Sequence, residues 1–202
     1  GSEMCKETAL KHAITFAPGI RILRQDPWEA LCCFIISQNN NIKRIKGIVQ
    51  RLCSCLGEPI PSSDCFSFPS PQRLAAATLE ELEPLRCGFR AKYLLDAARR
   101  VSSGQVQLDA IPQMPLEQAR AHLMQIVGVG PKVADCALLY GFHRLECCPM
   151  DVWMKRVFAA LYPNGLPDCA QDFIGIAQQY LFHYARCCPQ ILEAPEKEAA
   201  LV

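Results

Sequence analysis

The chain has 202 residues, half of which are hydrophobic, and its formal net charge is +1. This length and composition suffice for a packed core, and no apolar run approaches the roughly 20 residues that cross a bilayer, which excludes a membrane-spanning protein. The charge neither requires nor excludes a nucleic-acid partner, because a basic face can be balanced elsewhere in the sequence.

The N-terminal part of the chain contains two clear helical patterns. Residues 1–17 begin with a Gly-Ser pair typical of an expression scar and show no signal-peptide pattern, so we expect an N-terminal extension there. A helix then begins in QDPWEALCCFIIS, where Asp26 as N-cap, Pro27 and Glu29 form a capping box. The amphipathic stretch NIKRIKGIVQRLCSCLG predicts a second helix, which ends at Gly57.

A Pro/Ser-rich loop over residues 58–71 precedes further helical patterns. Three helices are predicted next, the first of them short and capped, in the stretches TLEELEPLRCG, FRAKYLLDAARRVSSG and PLEQARAHLMQIV. Two more are predicted in PMDVWMKRVFAALYPNG, which ends at Gly165, and PDCAQDFIGIAQQYLFHYARCC, which ends at Pro189. Residues 193–202 are typical of a frayed tail. Because no stretch predicts a ladder of strands, the sequence predicts an all-α fold.

The thirteen cysteines follow neither a disulfide nor a metal-binding pattern. Cys32, Cys33, Cys53 and Cys136 fall inside apolar helical stretches, where a thiol packs as a small hydrophobic group. No C-x2-C pair occurs and the four histidines do not cluster, so a structural metal or iron–sulfur site is the less favoured interpretation. The cysteines therefore indicate a reducing, cytosolic environment.

The run IVGVGPKVADCALLYG joins two helical patterns through two glycines and a proline. Gly128 and Gly130 suit a left-handed C-cap and a tight turn, and Pro131 suits the first position of the next helix. The helical hairpin over residues 116–141 can direct the N–H groups of Gly128, Val129 and Gly130 outward beside a helix N-terminus, which is a phosphate-binding arrangement. A tight connection without a ligand explains the turn equally well.

Two charged residues follow the turn. Lys132 lies in the first turn of its helix, where the positive end of the helix dipole favours the neutral amine that a nucleophilic attack requires. Asp151 begins a later helix after Pro149, where an N-cap is the simplest role. Taken singly, Lys132 would be interpreted as an ordinary exposed lysine. A catalytic role is indicated only by the combination of Lys132, Asp151 and the glycine turn.

The run LMQIVGVGPKVADC followed by PMDVWMKR resembles the helix-hairpin-helix, Gly/Pro-rich and aspartate motif of the DNA glycosylase superfamily. With LRQDPWEALCCFIISQNNNIKRI and GFRAKYL, the chain resembles more narrowly the 8-oxoguanine DNA glycosylases, over nearly everything from about Pro18 to Cys188. The resemblance implies a helical glycosylase region over residues 18–192, made of two helical lobes with the active-site cleft between them.

The resemblance implies a bifunctional DNA glycosylase and AP lyase that excises 8-oxoguanine from duplex DNA in base excision repair. Lys132 matches the lysine that attacks the sugar C1′ of a flipped-out nucleotide. Asp151 matches the aspartate that helps to activate this lysine and stabilises the developing oxocarbenium charge. The resulting Schiff base permits β-elimination of the 3′ phosphate.

A pocket for the damaged base is implied in the same way. Cys136, one turn after Lys132, matches the cysteine that stacks on the purine, and Phe182 matches the aromatic ring on the opposite side. Gln178 matches the side chain that reads the Watson–Crick edge, and its i, i+4 spacing from Phe182 places both on one helix face. Without the resemblance, Gln178 and Phe182 would be a polar and a core residue of an amphipathic helix.

Four further residues match family contacts to DNA. Asn39 matches the residue that fills the space left by the flipped base, and Arg44 and Arg90 match side chains that address the orphaned cytosine. Phe89 stands where the family often has an intercalating tyrosine. Trp153 departs from the family pattern, because a histidine near the lesion phosphate is usual there.

The implied partner is double-stranded DNA with a damaged base opposite cytosine, bound by a monomer without a membrane. No cofactor is expected apart from a monovalent or divalent cation at the hairpin carbonyls when DNA is bound. The implied location is the nucleus in a eukaryote, and the cytoplasm or nucleoid in a bacterium. Longer family members carry a β-rich domain before the helical part, and only about twenty residues precede LRQDP, so we expect an excised helical domain without it.

Three alternatives differ from this interpretation in their sequence features. Endonuclease III-like and adenine glycosylases commonly end in an iron–sulfur loop of C-x6-C-x2-C-x5-C spacing, which this sequence does not contain. Alkylbase glycosylases have the aspartate without the lysine, so Lys132 argues against that base specificity. A non-catalytic helix-hairpin-helix module predicts duplex binding without strand cleavage.

Overall fold

A computed structural model describes residues 2–192, apart from the side chains of residues 2–8, 168 and 169. Within this range the backbone forms helices and turns with one isolated antiparallel bridge, between Pro59 and Phe66, and no strand. The all-α prediction is therefore confirmed. The predicted tail over residues 193–202 and Gly1 of the predicted scar lie outside the described residues. The α-helices are α1 (Ser2–Phe16), α2 (Pro27–Ser37), α3 (Ile42–Leu56), α4 (Pro71–Ala75), α5 (Arg90–Ser102), α6 (Leu116–Leu123), α7 (Pro131–Gly141), α8 (Val152–Leu161) and α9 (Ile174–Cys187).

The chain divides into two compact units. The first, which we call the hairpin unit, spans Arg24–His143 and contains α2 to α7. The second, which we call the terminal unit, consists of the described residues of Gly1–Leu23 and Arg144–Val202 and contains α1, α8 and α9. None of the described helices is long and apolar enough to span a membrane.

The hairpin unit is built around the packing of α2 against α7. Asp26 caps α2 as predicted, because its Oδ1 accepts a 2.9 Å hydrogen bond from the Glu29 N–H. Burying each large apolar side chain contributes about 1.5–3 kcal/mol, and α2 contributes three such side chains that are fully buried: Leu31, Ile35 and Ile36. This packing fixes α7, the helix that begins at the glycine turn.

The terminal unit contains both ends of the described chain. α1 packs on α9, with Ala13 fully buried and the Leu10 N–H donating a 2.8 Å hydrogen bond to the Tyr162 hydroxyl. Residues 2–16, for which the sequence predicted only an extension, are therefore a packed helix of this unit.

The predicted helix in TLEELEPLRCG forms only its first turn. Thr78 and Glu81 make a capping box, with the Thr78 N–H 2.8 Å from a Glu81 carboxylate oxygen and the Glu81 N–H 3.2 Å from the Thr78 hydroxyl. The chain then continues as turns and a short 3-10 helix, Glu83–Leu85. Pro84 has no N–H to extend an α-helix, and Arg86 turns into the left-handed region at φ +52°.

Four other boundaries differ from the predictions, the first being the end of α8, which lies at Leu161 rather than at Gly165. The loop over residues 58–71 leads into the short helix α4, which the sequence analysis omitted. α6 ends at Leu123, four residues earlier than predicted, because the N–H groups of Gln125 and Ile126 bond to carbonyls three residues back and tighten the chain. The segment before α9 is a 3-10 helix, Asp168–Phe173, rather than the start of one continuous helix.

Candidate active site

The turn between α6 and α7 has the predicted left-handed geometry at one of its two glycines. Gly128 has φ +83°, which favours glycine, whereas Gly130 is extended and precedes Pro131 at the first position of α7. Among the described residues, the N–H groups of Gly128 and Gly130 have no hydrogen-bond acceptor. These two amides are available for an anion.

The Val129 amide does not have the free, outward orientation that we predicted. Its N–H donates a 3.0 Å hydrogen bond to the Ile126 carbonyl and so closes the turn, and the residue is buried. Because this hydrogen is already used, Val129 supports the turn and has no amide to offer a phosphate.

Gly128 lies directly against an aromatic ring. A β-carbon added there would be 2.3 Å from Cδ2 of Tyr93. We therefore expect Gly128→Ala to lower the free energy of unfolding by about 1–2 kcal/mol for the left-handed backbone and by about 1–3 kcal/mol more for the clash. Gly104→Ala is the matched control, because Gly104 has φ +74° and open space around an added β-carbon. Equal losses for the two variants in urea unfolding would contradict this contact.

Lys132 occupies the second position of α7, and its side chain is exposed. Within the hairpin unit its ammonium makes no ion pair or hydrogen bond, and the first turn of α7 contains no acidic residue. The free N–H groups of a first turn are the positive end of the helix dipole, so this position does not stabilise a cation. Cys136 lies four residues later on α7 and is buried.

Asp151 caps α8 through one of its two carboxylate oxygens. Its Oδ1 accepts a 2.7 Å hydrogen bond from the Met154 N–H, which confirms the predicted N-cap. Within the terminal unit, Oδ2 has no hydrogen-bond donor, and the residue is exposed. The cap therefore orients the carboxylate and leaves its second oxygen accessible.

Gln178 and Phe182 lie on α9, one helical turn apart, as predicted. Gln178 is only 5% exposed, and its Nε2 donates a 2.6 Å hydrogen bond to the Pro149 carbonyl, two residues before Asp151. This bond fixes the orientation of the amide. Phe182, in contrast, exposes about a third of its surface (36%) and so has ring surface for a partner.

Arg90 holds the backbone around Asn39. The Arg90 guanidinium is 2% exposed and donates hydrogen bonds to the carbonyls of Gln38 (2.9 Å), Asn39 (2.8 Å) and Cys87 (3.2 Å). Asn39 itself is exposed in the left-handed region at φ +46°. Burial and the nearby Arg44 guanidinium lower the pKa of Arg90. The predicted DNA contact of Arg90 stays a prediction, and most of its donors are used within the protein.

Phe89 and Arg44 are both exposed and line one cavity of about 670 Å³ in the hairpin unit. The Phe89 ring meets Tyr93 edge-on, with centroids 5.6 Å apart, and the Arg90 guanidinium lies 4.5 Å from its centre. Arg44 donates a 3.3 Å hydrogen bond to the Arg86 carbonyl. An exposed ring held in this way suits the predicted wedge between bases.

Trp153 contacts two arginines in the terminal unit. It is the residue that departs from the family pattern, in which a histidine is usual. The guanidinium carbons of Arg156 and Arg186 lie 5.7 and 5.3 Å from its ring centre, within cation–π range. Its indole N–H is buried with no hydrogen-bond partner among the described residues. This position therefore combines two cations with an unused donor.

The cysteines of α2 behave as the sequence predicted. Cys32 is fully buried, and burial raises the pKa of the Cys33 thiol to about 12. Thiols of this kind stay protonated and pack as apolar groups. Among residues 2–192, no group of three or more His, Cys, Asp or Glu residues could hold a metal ion.

Two residues of α5 that were not predicted from the sequence contact the glycine turn. Tyr93 packs on Gly128, and Asp96 Oδ2 accepts a 2.7 Å hydrogen bond from the Val127 N–H. With Phe89, they form an i, i+4, i+7 stripe on one face of a helix. That spacing is the signal that could have identified them.

Comparison with known proteins finds relatives that are similar to this chain in sequence and solved structures that are similar to it in fold. An N-glycosylase/DNA lyase of Saccharomyces cerevisiae is 42% identical over 153 residues, which are 69% of this chain and 41% of the yeast protein. The structure of MBOgg1 in complex with a low-affinity DNA ligand is 42% identical, with a TM-score of 0.82 over 92% of this chain and 70% of that one. The 8-oxoguanine glycosylase/lyase of Clostridium acetobutylicum, in complex with double-stranded DNA containing cytosine opposite 8-oxoguanine, is 35% identical, with a TM-score of 0.78 over 91% of this chain and 68% of that one.

The chain thus spans less than half the length of the yeast relative. Its residues 32–167, which include the glycine turn, Lys132 and Asp151, match the family described as HhH-GPD superfamily base excision DNA repair protein. This match covers about two thirds of the sequence and confirms the resemblance found in the motifs. The chain belongs to the HhH-GPD superfamily of base excision DNA repair proteins.

Proposed function

We propose that this chain excises 8-oxoguanine from duplex DNA and then cleaves the strand as an AP lyase. The observation that carries the proposal is the exposed lysine directly after the Gly/Pro turn, Lys132, which has no ion-pair partner in its unit. The names N-glycosylase/DNA lyase and 8-oxoguanine glycosylase/lyase, given to the yeast and Clostridium proteins, support the same reaction here. Cytosine opposite 8-oxoguanine in the Clostridium complex supports the proposed base pair.

Lys132 is the proposed nucleophile. Its neutral amine forms a bond to C1′ of the damaged nucleotide while the bond from C1′ to N9 breaks, and the base leaves with that electron pair and takes up a proton. The C1′–O4′ bond then breaks as the nitrogen forms a double bond to C1′; one proton of the amine passes to O4′ and the other is lost, which leaves an imine between Nζ and C1′. Removal of a proton from C2′ then expels the 3′ phosphate as the C3′–O bond breaks. Water hydrolyses the remaining imine and releases the lysine.

Asp151 is the proposed electrostatic partner of this chemistry. Breaking the glycosidic bond builds positive charge on the sugar, and a fixed carboxylate stabilises that charge without having to reorganise. The hydrogen bond from Met154 to Oδ1 holds the group, and Oδ2 stays open to a substrate. One residue therefore serves the helix and the reaction through different oxygens.

The proposed contacts to the damaged base are Cys136, Gln178 and Phe182. The Pro149 carbonyl orients the Gln178 amide, and its Oε1 accepts a long, 3.4 Å hydrogen bond from Gln179 Nε2. The second N–H and the remaining lone pair of Oε1 can therefore read a base edge in a fixed direction. Phe182 offers an exposed ring for stacking. We assign Cys136 a contact to the purine from the resemblance alone.

The proposed contacts to the rest of the DNA lie in the hairpin unit. Asn39, Arg44 and Phe89 are exposed there, and Gly128 and Gly130 present free N–H groups that suit a backbone phosphate. Arg90 supports this set by holding the Asn39 backbone. The proposal includes a monomeric protein, and a cation at the hairpin carbonyls when DNA is bound.

The test is single-turnover cleavage of three otherwise identical duplexes, carrying 8-oxoguanine, guanine or an abasic site opposite cytosine. We expect cleavage of the abasic and 8-oxoguanine duplexes and no cleavage of the guanine duplex. A non-catalytic DNA-binding module would bind all three duplexes and cleave none. Preference for an alkylated base over 8-oxoguanine would contradict the proposed substrate but not the lyase step.

Phe182→Ala tests the proposed base contact. Loss of a stacking face worth roughly 1–3 kcal/mol should slow excision of 8-oxoguanine, with little effect on a preformed abasic site, which has no base to stack. Phe173→Ala is the control, because Phe173 is also an exposed phenylalanine of the terminal unit (55%). Equal losses on both DNA substrates would mean that Phe182 acts only in packing.

A further inference from the structure

One face of α5 supports the glycine turn at two successive residues. Asp96 accepts a hydrogen bond from the Val127 N–H, and the Tyr93 ring lies against the α-carbon of Gly128. These contacts come from different kinds of interaction, one polar and one apolar. Together they fix both the position and the direction of the chain just before α7.

Asp96 is itself held by an ion pair. Its Oδ2 accepts the 2.7 Å bond from Val127 and a 2.8 Å bond from Nε of Arg100, one turn along α5. The Val127 N–H has no backbone acceptor among the described residues, so Asp96 satisfies a donor that the end of α6 leaves open. Arg100 balances the carboxylate charge, which would otherwise oppose an anion near the turn.

Tyr93 connects the turn to the proposed DNA wedge. Its ring touches Gly128 on one side and meets the Phe89 ring edge-on at 5.6 Å, and Phe89 is half exposed. Packed rings at such distances resist separate movement, because each displacement leaves a void or a clash. A displacement of the Phe89 ring is therefore transmitted to the turn through one intervening side chain, Tyr93.

We infer that Tyr93 and Asp96 are positioning residues for Lys132, and that Tyr93 couples the turn to the wedge at Phe89. Lys132 lies four residues after Gly128, so the geometry of the turn determines the positions that its Nζ can occupy. Small errors in the placement of a nucleophile strongly reduce the rate of its attack. The inference rests on the proposed function of Lys132 and Phe89. It adds that these two sites act through one structural element, α5.

The experiment measures imine formation on a preformed abasic duplex by borohydride trapping, at saturating protein, together with the Kd for the same duplex. We expect Tyr93→Ala to slow trapping by about tenfold to a hundredfold with a Kd within about threefold of the wild-type chain, and Tyr93→Phe to restore the rate. Asp96→Ala should slow trapping in the same way. Asp96→Asn, which keeps an acceptor for Val127, should slow it less.

The control for lost aromatic packing is Tyr140→Ala. Tyr140 stacks on Phe34 at 5.3 Å, near the other end of α7 and away from the turn. If trapping by Tyr93→Ala and Tyr140→Ala falls equally at equal loss of unfolding free energy, Tyr93 acts only through stability and the inference is wrong. In that case the wild-type chain still forms the imine, and the proposed function stands. A wild-type chain that forms no imine would overturn the proposed function as well as the inference, so the two failures are distinguishable.

The coupling to Phe89 has its own readout in the double variant Phe89→Ala/Tyr93→Ala. If the wedge acts on the turn through Tyr93, the second substitution should add little to the first, and the double variant should trap at about the rate of Tyr93→Ala alone. Rate losses that simply multiply would show that the two residues act independently and would overturn the coupling.

Discussion

Replacing Lys132 by glutamine is expected to abolish imine formation and to slow cleavage of both 8-oxoguanine and abasic duplexes by about 10⁴-fold or more. Glutamine has nearly the same length as lysine but an amide nitrogen that does not attack C1′. Binding of duplex DNA should persist, because the proposed phosphate contacts of the turn come from the N–H groups of Gly128 and Gly130 and not from Lys132. Single-turnover cleavage and borohydride trapping, both at saturating protein, measure the effect.

The matched control is Lys43→Gln. Lys43 is also exposed and also occupies the second position of a helix, α3, as Lys132 does in α7. Both substitutions remove a cation from the positive end of a helix dipole. The free energy of unfolding of each variant should therefore equal that of the wild-type chain or exceed it by up to about 1 kcal/mol. Loss of trapping in both variants, or in neither, would contradict the assignment of Lys132.

Asp151→Asn should slow excision by about 100-fold to 1000-fold, the usual effect of losing one fixed electrostatic group, while DNA binding and stability stay nearly unchanged. Asparagine caps a helix as well as aspartate does, so this variant removes the charge and keeps the cap. Asp151→Ala removes both, and it should add a loss of about 0.5–2 kcal/mol in the free energy of unfolding. Single-turnover rates and urea unfolding separate the two roles.

Asp26 offers the same cap without the proposed chemistry. Its Oδ1 accepts a 2.9 Å bond from the Glu29 N–H at the start of α2, close to the 2.7 Å bond of Asp151. Asp26→Asn and Asp26→Ala should therefore reproduce the stability effects and leave the excision rate of the folded protein unchanged. If Asp151→Asn instead excises at the wild-type rate, Asp151 is an N-cap and nothing more.

Local rules predicted the features that depend on neighbouring residues. The caps at Asp26 and Asp151, the left-handed Gly128 and the position of Pro131 all follow from a few adjacent side chains, and the structure confirms each of them. The same rules placed Lys132 in the first turn of α7. These features position the proposed nucleophile and carboxylate, which is why the motifs were informative.

Features that depend on distant residues were not predictable from such rules. The Val129 amide looked available in the sequence, but the turn closes on the Ile126 carbonyl. Arg90 was predicted to contact DNA, and nothing near it in the sequence indicates that its buried guanidinium donates hydrogen bonds to the carbonyls of Gln38 and Asn39, some fifty positions away. A packed helix over residues 2–16 depends likewise on α9, at the opposite end of the chain. Periodicity within a segment does not reveal such partners.

The identity of the residue that carries the imine tests the central claim most directly. The wild-type chain is incubated with a duplex containing 8-oxoguanine opposite cytosine, reduced with borohydride and digested, and the peptide that carries the nucleotide is identified by mass. The account predicts a single modified residue, Lys132, together with strand cleavage at the lesion. An adduct on another amine, such as Lys43 or Lys155, or cleavage with no adduct, would contradict it.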